Sequence, residues 1–212
     1  MALNEIANEI EKAKTDYMES VYEASEKAKA ELASINNDGD HSSSWMEQQA
    51  RALVERYEAD RAEKAAAVAA SLEALYAEGL EAAAGVLSRQ PTPGEAAYLQ
   101  AFMMKHSVTL SDVEQAKKAL KGSAVASAAM YERALDKDVK VDGGVPGYLF
   151  VTEMGDRCLD EDKQYLATFG AARKSGMGSV YSFTCDSIQA AMRMKMTANE
   201  FTNALRSVAE FE

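Results

Sequence analysis

The densest set of groups able to act as acid, base or cation ligand in this 212-residue chain is Asp156, Asp160, Glu161 and Asp162, which flank Cys158. An enzyme with an unfamiliar site would be built there, from carboxylates that exchange protons or hold a hard cation. A run of this kind is ordinarily the solvated start of a helix, and no nucleophile with a base beside it is in view. The chain's two histidines are far apart, His41 in one turn and His106 in another. That separation supports neither a histidine metal site nor a Ser-His-Asp arrangement. Gly143-Gly144-Val145-Pro146-Gly147 could suggest a phosphate loop, but no Lys-Ser or Lys-Thr follows at the spacing a Walker loop needs. Gly170, Gly176 and Gly178 around Arg173-Lys174-Ser175 are equally nonspecific, and both segments read as loops. Cys158 and Cys185 match no zinc or thioredoxin spacing and are expected to be buried thiols. The reading is therefore of a non-enzymatic protein with no catalytic residue, no cofactor and no metal.

The elements that would position any site are helices. From Leu3 to Ile35 the apolar residues Leu3, Ile6, Ile10, Ala13, Tyr17, Val21, Ala24, Ala28, Leu32 and Ile35 recur in steps of three and four, the stripe of an amphipathic helix. The same residues form columns at a spacing of eleven: Ile10, Val21, Leu32, then Ile6, Tyr17, Ala28, then Ala13, Ala24, Ile35. An eleven-residue repeat gives a nearly straight or slightly right-handed seam, on a helix roughly 50 Å long. Asn36 to Ser43 holds only turn formers and must be the bend. Ser44 with Glu47 has the capping-box spacing for a second helix. Its stripe runs through Met46, Ala50, Leu53, Tyr57, Ala65, Val68, Leu72, Leu75, Leu80, Ala83 and Leu87, with Arg61 interrupting one turn. Gly79 and Gly85 each cost about 1 kcal/mol in a helix interior, so a kink or end is expected near residue 79. Two antiparallel helices, coiled-coil-like, are the simplest solution.

Residues 1–90 carry 18 Asp and Glu against 9 Lys and Arg, a net −9 of the chain's −11. So acidic a surface does not seek nucleic acid, because phosphate contacts need cations. Acid and base four apart, as Glu23 with Lys27, is ordinary helix support. The acidic surface at Glu19, Glu23 and Glu26 also suits docking on a protein, or mimicry of nucleic acid.

Beyond the hairpin, Thr92, Pro93 and Glu95 cap a helix carrying Ala97, Leu99, Phe102 and Met103. Ser111 with Glu114 repeats the cap signature before Val113, Ala116 and Leu120, and Lys121-Gly122-Ser123 turns the chain into Ala124–Leu135. The last of these helices offers only Arg133 and Lys137 as cations, which argues against DNA reading. Val139, Val141 and Tyr148-Leu149-Phe150-Val151 gather β-branched and aromatic residues beside glycines, so one short strand or β-hairpin is expected near 138–153. Helices then resume from Asp160 or Asp162 through Leu166, from Thr184 or Asp186 through Met192, and from Thr197 through Phe211.

The charged N-terminal hairpin, the apolar helix, Leu110-Ser111-Asp112-Val113-Glu114, the Lys121-Gly122-Ser123 turn and the Ala-rich helix ending in Tyr131 together resemble small helical proteins encoded among the head and structural genes of tailed bacteriophages and prophages. The likeness covers residues 1–136 in layout and 95–135 in local pattern. It implies a role in virion assembly, scaffolding or minor structure, and it carries over no catalytic residue. Scaffolding proteins commonly end in a basic capsid-binding helix, whereas this chain reads Ala209-Glu210-Phe211-Glu212 there.

The expectation is thus an all-α fold: an acidic antiparallel helical hairpin over residues 1–90 and a small helical domain over 91–212. The hairpin seam of Ile6, Ile10, Tyr17, Val21, Leu32, Leu53, Tyr57, Val68, Leu72 and Leu75 would mediate packing or association. The expected function is interaction or assembly, by self-association into a homo-oligomer or by docking on a protein partner. The alternative is an acidic inhibitor that mimics nucleic acid and blocks a host nucleic-acid-binding protein. No apolar run approaches a membrane span, and Met1–Glu5 lacks a leader pattern, so a place in the host cytoplasm or the virion is expected.

Overall fold

Helix periodicity and capping chemistry build almost all of the backbone. The computed structural model describes residues 1–139, 147–174, 181–183, 195–196 and 199–212. Its helices are α1 (Leu3–Asn36), α2 (Ser43–Leu87), α3 (Pro93–Met103), α4 (Leu110–Ala119), α5 (Ala124–Asp136), α6 (Val151–Thr168) and α7 (Glu200–Ala209), with a 3₁₀ turn at Gly147–Phe150. One antiparallel pair, β1 (Ala172–Lys174) and β2 (Tyr181–Phe183), sets Ala172 opposite Phe183, Arg173 opposite Ser182 and Lys174 opposite Tyr181. The all-α class with one short hairpin is the observed fold.

That hairpin is not where β-branched composition put it. Tyr148 and Phe150 lie in the 3₁₀ turn and Val151 opens α6, while residues 140–146 fall outside the described residues. The local preference yields to packing, since the Tyr148 ring sits edge-on to Phe211 at 5.0 Å and is buried. α6 likewise begins at Val151, well before Asp160. The helix expected from Thr184 or Asp186 falls on residues 184–194, outside those described, as does the Thr197 cap.

The chain forms two compact units. The first comprises Met1–Glu9, Leu75–Arg157 and Glu200–Glu212. Its α3, α4 and α5 enclose Phe102, Val113, Ala116, Leu120 and Met130. The Thr92 capping box forms as expected, with the hydroxyl accepting from the Glu95 amide at 3.3 Å and the Glu95 carboxylate accepting from the Thr92 amide at 2.8 Å. The next box is displaced: Thr109 and Asp112 cap α4, not Ser111 and Glu114. Ser123 caps α5, its hydroxyl accepting from the Ala126 amide at 3.2 Å.

α2 does not end at Gly79 but continues to Leu87. A Cβ at Gly79 would lie 3.1 Å from Leu205 Cδ1 and 3.4 Å from Ile6 Cγ2, so the glycine lets α1 and α7 close on α2 within this unit. Tyr76, one turn away, is fully buried and stacks on Phe201 at 4.3 Å. Arg206 donates to Asn8 at 3.1 Å, the Leu3 amide donates to Glu212 at 3.2 Å, and the N-terminal ammonium pairs with Glu78 at 3.3 Å.

The second unit comprises Ile10–Ala74 and Cys158–Asn199. Here α1 and α2 run antiparallel around Ala28, Leu32, Ala50, Leu53 and Tyr57, with Phe183 of β2 in the same cluster. Tyr57 and Phe183 meet edge to face at 4.9 Å. Ser42 rather than Ser44 caps α2, accepting from the Trp45 amide at 3.3 Å.

Two outcomes follow. Gly79→Leu overpacks a closed contact and is expected to lower stability by about 1–3 kcal/mol, measured by urea unfolding; an unchanged midpoint would refute the close approach. The Asp112 carboxyl is held down to about 2 by Lys105 and by the Thr109 amide and hydroxyl. A depressed carboxyl stabilises the fold above its unfolded pKa and loses that contribution as pH falls through the folded value. Asp112→Asn should therefore melt below the parent at pH 6 and converge with it near pH 2, as followed by circular dichroism.

Candidate functional site

Among the described residues, a connected polar constellation surrounds the end of α6 in the second unit. A helix terminates with carbonyls that no amide of its own satisfies, and α6 stops at Thr168, two residues before Gly170 with φ of 69°. That left-handed position suits glycine and turns the chain out of the helix. Three side chains meet carbonyls at the helix end and in the turn just beyond it. The Tyr17 hydroxyl of α1 donates to Leu166 O at 2.7 Å, and the Tyr57 hydroxyl of α2 donates to Gly170 O at 2.6 Å. Arg61 of α2 donates through Nη1 to Ala167 O at 2.8 Å and to Phe169 O at 3.4 Å.

Glu58, one turn before Arg61, fixes the guanidinium. Its Oε2 accepts from Arg61 Nη2 at 2.7 Å and from Nε at 3.0 Å, while Oε1 accepts from the Ala172 amide at 2.5 Å. One carboxylate thus holds both the cation and the first residue of β1. Burial works against the Arg61 charge, yet Glu58 and Tyr17 raise its pKa above the ordinary arginine value. A positive group at a helix C-terminus also meets the negative end of the helix dipole.

Further up α6 stands a buried ion pair. Lys14 Nζ of α1 lies 2.5 Å from Asp162 Oδ2, with side chains 4% and 11% exposed. Burial pulls the Lys14 pKa below the ordinary lysine value, against the opposing pull of Asp162 and the nearby Cys158 and Glu11. Cys158 is buried, and Cys185 lies outside the described residues. A shallow groove of about 260 Å³ runs past Arg61, Ala62, Ala65, Lys163 and Leu166. Both of its cations are engaged, Arg61 by Glu58 and Lys163 by Glu73 at 3.1 Å.

The carboxylates around Cys158 do not converge. Asp162 is turned to Lys14, Glu161 pairs with Lys195 at 3.5 Å, and Asp156 and Asp160 are exposed. Among the described residues no three His, Cys, Asp or Glu side chains gather to hold a metal ion. His41 stacks on Trp45 at 3.9 Å in the bend, its Nδ1 2.9 Å from Asp38, while His106 is exposed. The His41 hydrogen bond, with the Asp40 amide, holds the Asp38 carboxyl below the usual range.

The seam residues Ile6, Ile10, Tyr17, Val21, Leu32, Leu53, Tyr57 and Leu72 are buried, and Val68 and Leu75 are half-buried. Glu19, Glu23 and Glu26 are exposed, with Glu26 paired to Lys29 at 2.6 Å. With Asp16, also exposed, they sit at i, i+3, i+7 and i+10, one outward ridge of α1.

Sequence reasoning missed Lys14 and Arg61. Arg61 reads as a flaw in an apolar stripe, although it lies between Tyr57 and Ala65 at helical spacing, where a buried residue was due. Lys14 and Ser25 extend Leu3 at the same spacing of eleven as the apolar columns, and all three are buried. Extending the columns regardless of residue type would have found them.

No protein-family model matches this chain. No curated protein and no solved structure matches it either.

Arg61→Met strands Glu58 and two carbonyls, and is expected to cost roughly 2–3 kcal/mol, against about 1 kcal/mol for Tyr57→Phe. Equal, negligible losses in chemical denaturation would contradict the capping role. For the buried pair, Lys14→Met alone should cost about 3–5 kcal/mol, whereas Lys14→Met with Asp162→Leu should recover most of it. A double-mutant cycle that comes out additive would sink this assignment.

Proposed function

We propose that this protein is a non-enzymatic helical interaction and assembly protein, a structural or head-assembly component of a phage or prophage that acts by docking on a protein partner or on further copies of itself. The observation that carries the reading is the outward ridge of Asp16, Glu19, Glu23 and Glu26 on α1, a helix whose inward face is already covered by the chain. A buried seam is not offered to a partner without unfolding, so association through the outer face is favoured over exchange of the seam. The polar groups of the second unit support the same reading, since the constellation around Arg61 caps a helix and ties down a strand. No helix among the described residues is long and apolar enough to cross a membrane.

A ridge of carboxylates attracts a basic surface over a range that salt shortens. The same ridge supports a second reading, an inhibitor that lays its carboxylates in the basic groove of a nucleic-acid-binding protein.

The test uses the full-length chain with Glu19→Lys, Glu23→Lys and Glu26→Lys combined, as bait in an extract of the host or of an induced lysogen at low and moderate salt. Capture is expected to fall at least about tenfold, with helix content and melting unchanged. Capsid or portal proteins among the partners lost would support assembly. One nucleic-acid-binding protein, released as salt rises, would replace that reading with inhibition. Capture indifferent to the reversal would remove the ridge from both.

A further inference from the structure

We draw no further inference here: the strongest candidate, the open groove of the first unit walled by Leu87, Ala124, Val125, Ala128, Glu132 and Tyr148, is an unpartnered, largely apolar face, and nothing in the structure shows what covers it.

Discussion

Wherever a helix stops inside a protein, its last carbonyls must find donors, and the second unit is organised by how α6 solves this. Gly170 turns the chain away, and Tyr17, Tyr57 and Arg61 deliver hydroxyl and guanidinium donors to Leu166, Gly170, Ala167 and Phe169. A donor on α1 and two on α2 close on one terminus, so the register between those helices in this unit is tied to where α6 ends. Apolar stripes alone leave that register loose, because alanine-rich faces such as that around Ala50 and Ala65 can slide at small cost. Unpaired buried carbonyls make each slipped alternative expensive.

The same logic explains what could be read from the chain and what could not. Helices α1 and α2 were legible because their signal is local and repeated over many turns. The Thr92 cap was legible because hydroxyl, proline and glutamate agree on one start. At α4 two hydroxyl-acid pairs, Thr109 with Asp112 and Ser111 with Glu114, have identical spacing, and the choice falls to Asp112 because Lys105 also meets it. The β pair could not be foreseen, since three residues a side carry little pattern and Phe183 is placed by Tyr57 across the chain. Arg61 was hidden for the same reason: the carbonyls that justify a charge in an apolar stripe lie about a hundred residues away in sequence.

Charge is sorted by depth as well as by sign. Among the described residues of the second unit, the buried cations Lys14 and Arg61 each meet a carboxylate, Asp162 and Glu58. The excess of acid is left on the outside, where solvation costs nothing and long-range fields act. Exposed carboxylates such as Glu19, Glu23 and Glu26 can be altered at little cost to the fold, because they take no part in the buried packing. For the proposed docking role, this means that recognition and stability are written in different residues.

The only tryptophan of the chain, Trp45, stands in the first turn of α2 beside the bend, stacked at 3.9 Å on His41, whose Nδ1 lies 2.9 Å from Asp38. Indole emission is sensitive to a ring pressed against it, and here it comes from a single place. The molecule therefore carries a built-in optical label on the tip of one hairpin, in the second unit, while the first unit is dark at that wavelength.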